Sequence, residues 1–217
     1  GWIETSNISG GEGGTWCAQV PACRAVAVYA DYQPTLNRAC ELAHILGEAS
    51  LRDRLIAYPA IAQNPSLLSC EIAGRFFMDA FLAQLLEETE WERREHAAVL
   101  WQALRQIGVN LLHLPFRFEL SHRLHEERRH GYLSVNDINK LTNTIWEDYF
   151  ADTVRGSDQY VWAAKLHFYL PREPHYDWQY TAGYLIAAVL RRRLLADGRT
   201  ACGGSFGDFL SDCATID

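Results

Sequence analysis

A mainly helical fold with one small sheet near its N-terminus is predicted for this chain of 217 residues. Ala25-Val26-Ala27-Val28-Tyr29 is the best strand in the sequence, a short β-prone run set off by Pro21 before it and Pro34 after it. From Pro34 onward, apolar residues recur at helical spacing almost throughout. No repeat of fixed period breaks that pattern. A single domain over 1–217 is therefore expected, with loop and small sheet over 1–32 and helices over 33–217.

Residues 4–14 are rich in Gly, Ser, Thr and Asn and read as a loop. Residues Thr15 to Val20 and Ala25 to Ala30 read as two short strands separated by Pro21. Pro34 and Thr35 open a helix carrying Leu36, Ala39, Ala43 and Leu46, which ends before the polar, proline-containing segment 57–65. A second helix is predicted from about Ser66 to Glu88, with Leu68, Ile72, Phe76, Ala80 and Leu82 on or near one face. Further helices follow at about 91–112, 117–129, 134–153, 158–168 and 175–196. Ser134 with Asp137 three residues later marks a helix start, since each side chain can satisfy the other's free backbone donor. Gly198 closes the long last helix, and Gly203-Gly204 open a short terminal one.

Apolar residues make up 48% of the chain and charged residues 22%, ordinary values for a globular protein able to bury a substantial core. A net charge of −7 argues against nucleic acid as a partner, because phosphate binding needs a basic face. The runs Arg93-Arg94 and Arg191-Arg192-Arg193 lie on helical patterns and read as solvated faces. No apolar run reaches membrane-spanning length, and Gly1-Trp2-Ile3-Glu4 has neither the basic start nor the apolar stretch of a secretory signal. The six cysteines are irregularly spaced, without a CxxC pair, so reduced thiols in the cytoplasm are expected.

Chemistry concentrates in Cys40-Glu41-Leu42-Ala43-His44. Residues four apart on a helix project from one face, so Cys40 and His44 can grip one metal ion from the same side. Glu41 then stands where a general base can take a proton from a bound water. Glu71, in Ser69-Cys70-Glu71-Ile72-Ala73, is the candidate for a third, carboxylate ligand. The pattern is an HExxH zinc-peptidase helix whose first histidine is replaced by cysteine. A thiolate places more charge on zinc than imidazole does and leaves its water less acidic. A Cys, a Glu and a His at this spacing also occur on ordinary helices, so the segments around them matter.

Those segments resemble the C-terminal catalytic region of oligoendopeptidase F, in the thimet-oligopeptidase-like family of zinc peptidases. Ala39 to His44 resembles the family's "AHELGH" helix, and Glu71-Ile72-Ala73 its "EVAS" segment. Gly1-Trp2-Ile3, the glycine loop and Trp16-Cys17 resemble the lead-in to its substrate-binding strands. Phe116 to His122 resembles its "F-x-x-FE-x-x-x-H" helix, with Gly131 to Ser134 the turn that follows. Most specific are His167-Phe168-Tyr169, similar to "HFY", and Tyr176 to Gly183, similar to "Y-x-Y-Q-Y-A-T-G". The resemblance implies a zincin-like helical catalytic domain with zinc held by Cys40, His44 and Glu71 and a proton moved by Glu41. It further implies an oxyanion bound by His167 and Tyr176 with support from Tyr180, and a short peptide held by strand addition at an exposed edge of the Ala25–Ala30 strand.

Departures accompany the matches. Cys40 replaces the first histidine, Ala43 replaces a glycine, and Met78 stands where the family carries an acid seven residues after the third ligand. Pro171-Arg172-Glu173-Pro174 reads as an insertion between the two most specific segments. The family's complete enzymes also have an N-terminal helical lobe, whose place a dimer mate or a partner chain is expected to take here. Two readings stay open: a zinc-dependent hydrolase of short peptides, and an altered or inactive descendant that binds a peptide or other ligand or runs different chemistry in the same cleft.

Overall fold

A computed structural model of the chain describes residues 2–6, 14–31, 33–170 and 175–196. The glycine loop, the 171–174 insertion and the expected terminal helix after Gly198 lie outside the described residues. The chain divides into two compact units, Gly1–Ala103 with Ala182–Asp217, and Leu104–Thr181. The fold is mainly helical with a small N-terminal sheet, as the sequence predicts.

The first unit begins with three strands, β1 (Trp2–Ser6), β2 (Trp16–Val20) and β3 (Ala25–Asp31), in the order β1-β3-β2. Strand β1 runs parallel to β3 with Ile3 opposite Val28, and β2 runs antiparallel with Cys17 opposite Val28. β3 alternates buried and half-buried residues, the period of two that places Val26, Val28 and Ala30 on one face. Strand β1 takes residues 4–6 from the segment the sequence assigned to a loop. Its ladder is made with β3, a tertiary partner that outweighs the weak strand preference of Glu4 and Ser6. The expected free edge of the Ala25–Ala30 strand is also corrected. β3 is the central strand and both of its edges are already paired.

Helices α1 (Leu36–Leu55) and α2 (Leu67–Glu87) form the frame of this unit. Thr35 caps α1 by accepting from the Arg38 amide, and Ser66 caps α2 by accepting from the Ser69 amide. The α1 face bearing Leu42, Ile45, Leu46 and Ala49 packs on Val26 and Val28 of the sheet. Its opposite side meets α2. Leu51 and Leu55 lie with Cys70, Ala73 and Phe76, while Cys40, near the other end of α1, lies with Met78 and Leu82. Early residues of α1 thus meet late residues of α2, and the two helices run antiparallel. Val99 of α3 (Arg93–Gly108) and Ala187 of α7 (Trp178–Ala196) complete these two apolar clusters.

In the second unit a π-helical turn, Val109–His113, leads into α4 (Leu114–His130). Pro115 explains the turn, because it has no N–H to give the helical ladder and its ring crowds the carbonyl one turn back. Helix α5 (Val135–Phe150) starts with the Ser134–Asp137 capping box read from the sequence. The helix expected at 158–168 is instead a single turn, α6 (Val161–Ala164), followed by a 3-10 turn, Leu166–Tyr169. The core here is aromatic. Phe116, 0% exposed, meets the edge of Trp146 at 5.3 Å, and Trp146 stacks on Phe150 at 4.2 Å.

Contact between α1 and α2 depends on Gly47, since a Cβ built there would collide with the Ala73 carbonyl. Gly47→Ala should therefore destabilise the protein by about 1–3 kcal/mol through overpacking, despite a helix-propensity gain of about 1 kcal/mol. Urea unfolding of the two proteins measures it. Equal or greater stability of the alanine variant would show that the helices are free to move apart.

Candidate functional site

Helix geometry selects the site. Residues four apart are rotated from one another by about 40°, so Cys40, His44 and Glu48 form a row that slants around α1. The lower end of the row turns into the interface with α2, and the upper end turns toward β2. His44 sits between them, against Gly74 of α2. A Cβ on Gly74 would lie 2.5 to 2.7 Å from three atoms of the imidazole ring. The absence of that carbon is what lets the ring lie flat on the α2 backbone.

Around His44 the side chains of Glu48 and Glu71 converge. His44 Nε2 lies 3.0 Å from Glu48 Oε1 and 3.7 Å from Glu71 Oε2. These three residues form a group whose ligand atoms all lie within 4.8 Å of one another. The nearest partner of Nε2 is thus a carboxylate oxygen. Nδ1 is buried and has no hydrogen-bond partner among the described residues. Glu71 is 4% exposed, and Gly183 of α7 closes over it, because a Cβ there would lie 2.7 Å from Glu71 Cβ.

Burial pushes the Glu71 carboxyl above its usual range, and the Glu48 charge adds to the rise. His44 and Arg75 oppose it, with Arg75 Nε 3.3 Å from Glu71 Oε2. On its far side Glu48 faces β2, with Cys17 Sγ 4.0 Å from Oε2. Two carboxylates held this close around one imidazole nitrogen repel one another, and a divalent cation relieves that repulsion more fully than a proton does.

The other residues singled out in the sequence fall into two groups. Cys40 does not join His44 and Glu71. Its side chain is 1% exposed among Met78, Leu82 and Val99, and burial raises its thiol to about 11 against a smaller opposing effect of a hydrogen bond with Gln102. The slant of the row explains the difference: the turn that brings Glu48 toward Glu71 carries Cys40 into the apolar layer. Glu41 is held on its own helix, 2.5 Å from Arg38 Nη1 and 2.7 Å from Asn37 Nδ2. Asp31 of β3 holds the other arm of Arg38 at 3.2 Å. In the second unit His167, Tyr176 and Tyr180 do gather, with ring centroids 5.1, 6.0 and 5.5 Å apart. Glu48 was absent from the sequence reading. Its signal was present as the third member of the 40-44-48 row, one turn beyond the motif.

Thiol chemistry separates the described cysteines, all of which are free. Cys23 is exposed, whereas Cys40 is raised to about 11 and Cys70 to about 12, both chiefly by burial. The thiolate is the reactive form, so a raised pKa leaves almost none of it at pH 8. Iodoacetamide labelling of the folded protein, followed by peptide mass spectrometry, should modify Cys23 first and Cys40 and Cys70 only on unfolding. Early modification of Cys40 would place it on an accessible metal face after all.

No family model matches this sequence, and none of the curated proteins matches it. Among solved structures the chain is similar to a candidate oligoendopeptidase F from Bacillus anthracis strain Ames, with a TM-score of 0.67 and 17% sequence identity. The match covers 98% of this chain and 34% of that one, so the chain spans about a third of the length of the structure it resembles. The likeness establishes a shared fold.

Proposed function

We propose that this chain is a metal-dependent hydrolase of short peptides, with a divalent zinc ion held by His44, Glu48 and Glu71. The observation that carries the reading is the convergence of one imidazole nitrogen and two carboxylate oxygens within 4.8 Å. The similar fold of a candidate oligoendopeptidase supports it. One nitrogen and two oxygens form a donor set that zinc accepts, and two carboxylates balance the charge of a dication. When bound, the ion would supply the Lewis acidity that polarises a carbonyl and makes a water molecule acidic.

Glu41 is the proposed proton acceptor. It sits three residues before His44 on the same helix, and its carboxylate exchanges Asn37 and Arg38 for the attacking water. His167, Tyr176 and Tyr180 are the hydrogen-bond donors that the family resemblance assigns to the oxyanion. A second reading, a descendant that binds peptides without cutting them, is favoured by one observation. Glu41 is already satisfied by two donors on its own helix.

Metal analysis of the purified protein after zinc loading tests the site. About one zinc per chain is expected, and Glu48→Gln should lower zinc affinity at least ~10-fold while Cys40→Ser leaves it near wild type. The opposite pattern would restore the cysteine-containing set and reject this one. A panel of quenched fluorogenic peptides tests the activity. Cleavage should vanish with a chelator and fall ~10²-fold or more in Glu41→Gln. Zinc bound without cleavage of any peptide would support the binding protein instead.

A further inference from the structure

The second unit contains a buried charged pair that the aromatic core does not require. Arg117 of α4 and Asp177, in the turn before α7, are 6% and 3% exposed, with Arg117 Nη2 2.7 Å from Asp177 Oδ1. A buried ion pair rarely adds stability over two well-packed apolar side chains, so its presence needs another explanation. The pair is close but poorly aligned. Beyond the pair itself, Arg117 Nε and His167 Nδ1 are buried without a hydrogen-bond partner among the described residues. Unspent polar capacity of this kind, gathered in one place, marks a site built for a bound group more than for its own cohesion.

Asp177 directly follows Tyr176 and precedes by three residues Tyr180, in the first turn of α7. Anchoring Asp177 to α4 therefore fixes the backbone that carries both tyrosines. We propose that the Arg117–Asp177 pair is a positioning element that sets His167, Tyr176 and Tyr180 as a hydrogen-bond-donor cluster for an anionic centre. Only the identity of that centre, the oxyanion of a peptide under attack, rests on the function proposed above. The coupling of the pair to His167 does not.

The two cations near His167 act in one direction. Arg117 from α4 and Lys165 from the segment before the 3-10 turn both disfavour imidazolium at His167, adding to the larger effect of burial. The rings of Tyr176 and Tyr180 also lie against His167, with centroids 5.1 and 6.0 Å away. Arg117 likewise lowers His113 in the π-helical turn, where burial is again the larger cause. Asp177 is the counter-charge that limits this field, and it is itself raised to about 6 by burial against the pull of Arg117. A neutral imidazole remains a donor through one nitrogen and does not draw an anion into a permanent ion pair. Transition-state binding needs that difference between weak and strong interaction.

The test is a pH titration of His167 in the intact protein by NMR, its signal assigned by its loss in His167→Gln. Arg117→Met removes the positive field, and the His167 midpoint should rise by roughly half a pH unit or more. Asp177→Asn leaves Arg117 without its counter-charge, and the midpoint should fall below wild type. A merely structural role would move both variants the same way, toward the value of an exposed histidine, and that result would overturn the proposal. Should either single variant fail to fold, two others decide. Arg117→Lys should keep the wild-type midpoint, and the apolar pair Arg117→Met with Asp177→Leu should fold and raise it. An unchanged midpoint in the apolar pair would also overturn the proposal. Peptide cleavage, where it is found, should lose kcat more than KM in Arg117→Met. The titration gives its answer whether or not any peptide is cut.

Discussion

The approach of α1 to α2 without an intervening side chain is the constraint on which the first unit depends. Gly47 lets the Ala73 carbonyl in, and Gly74 lets the His44 ring lie on the helix backbone. With a Cβ at either position the helices would stand apart, and His44 would lose its distance to Glu71. The same contact orders the apolar layers: Leu51 and Leu55 against Cys70 on one side of the crossing, Cys40 against Met78 and Leu82 on the other. Packing and site geometry are therefore one feature. A change that loosens the crossing costs stability and ligand convergence together.

Much of this was legible in the sequence, for identifiable reasons. The long helices show in their periodicity and caps: Thr35, Ser66 and Ser134 all accept from the amide three residues on. The parts that escaped reading are set by tertiary partners. β1 exists because β3 offers an edge, and the 158–168 segment breaks into short turns where Val161 and Phe168 reach into the aromatic core. The site was half legible. His44 was singled out by its spacing and Glu71 as a carboxylate downstream of the motif, and the cluster of two carboxylates and one imidazole that the fold gathers differs from the motif by one turn of helix. Spacing alone reports which residues share a face. It does not report which end of a slanted row points into a neighbouring helix.

Both candidate sites use buried charge in a similar manner. In each, an arginine lies against a carboxylate inside the fold: Arg75 at 3.3 Å from Glu71, Arg117 at 2.7 Å from Asp177. In each, a histidine shares the cluster and has a ring nitrogen buried without a partner among the described residues. Such groups are costly to desolvate, and apolar substitutes would pack as well or better. In the readings proposed above, their presence in both units serves chemistry that needs fixed dipoles and charges.

With His44, Glu48 and Glu71 as the proposed ligands, the acid of the motif stands in a different place relative to them. In an HExxH helix the base follows the first ligand by one residue. With His44 and Glu48 as the pair, that position is Ile45, which packs against the sheet and offers no chemistry. Glu41 then stands three residues before His44, still a neighbour on the helix surface because residues three apart share a face. Its tie to Arg38 has a structural purpose of its own, since Arg38 also holds Asp31 and so joins α1 to the end of β3. In the function proposed above, proton transfer by Glu41 competes with a contact that ties α1 to the end of β3.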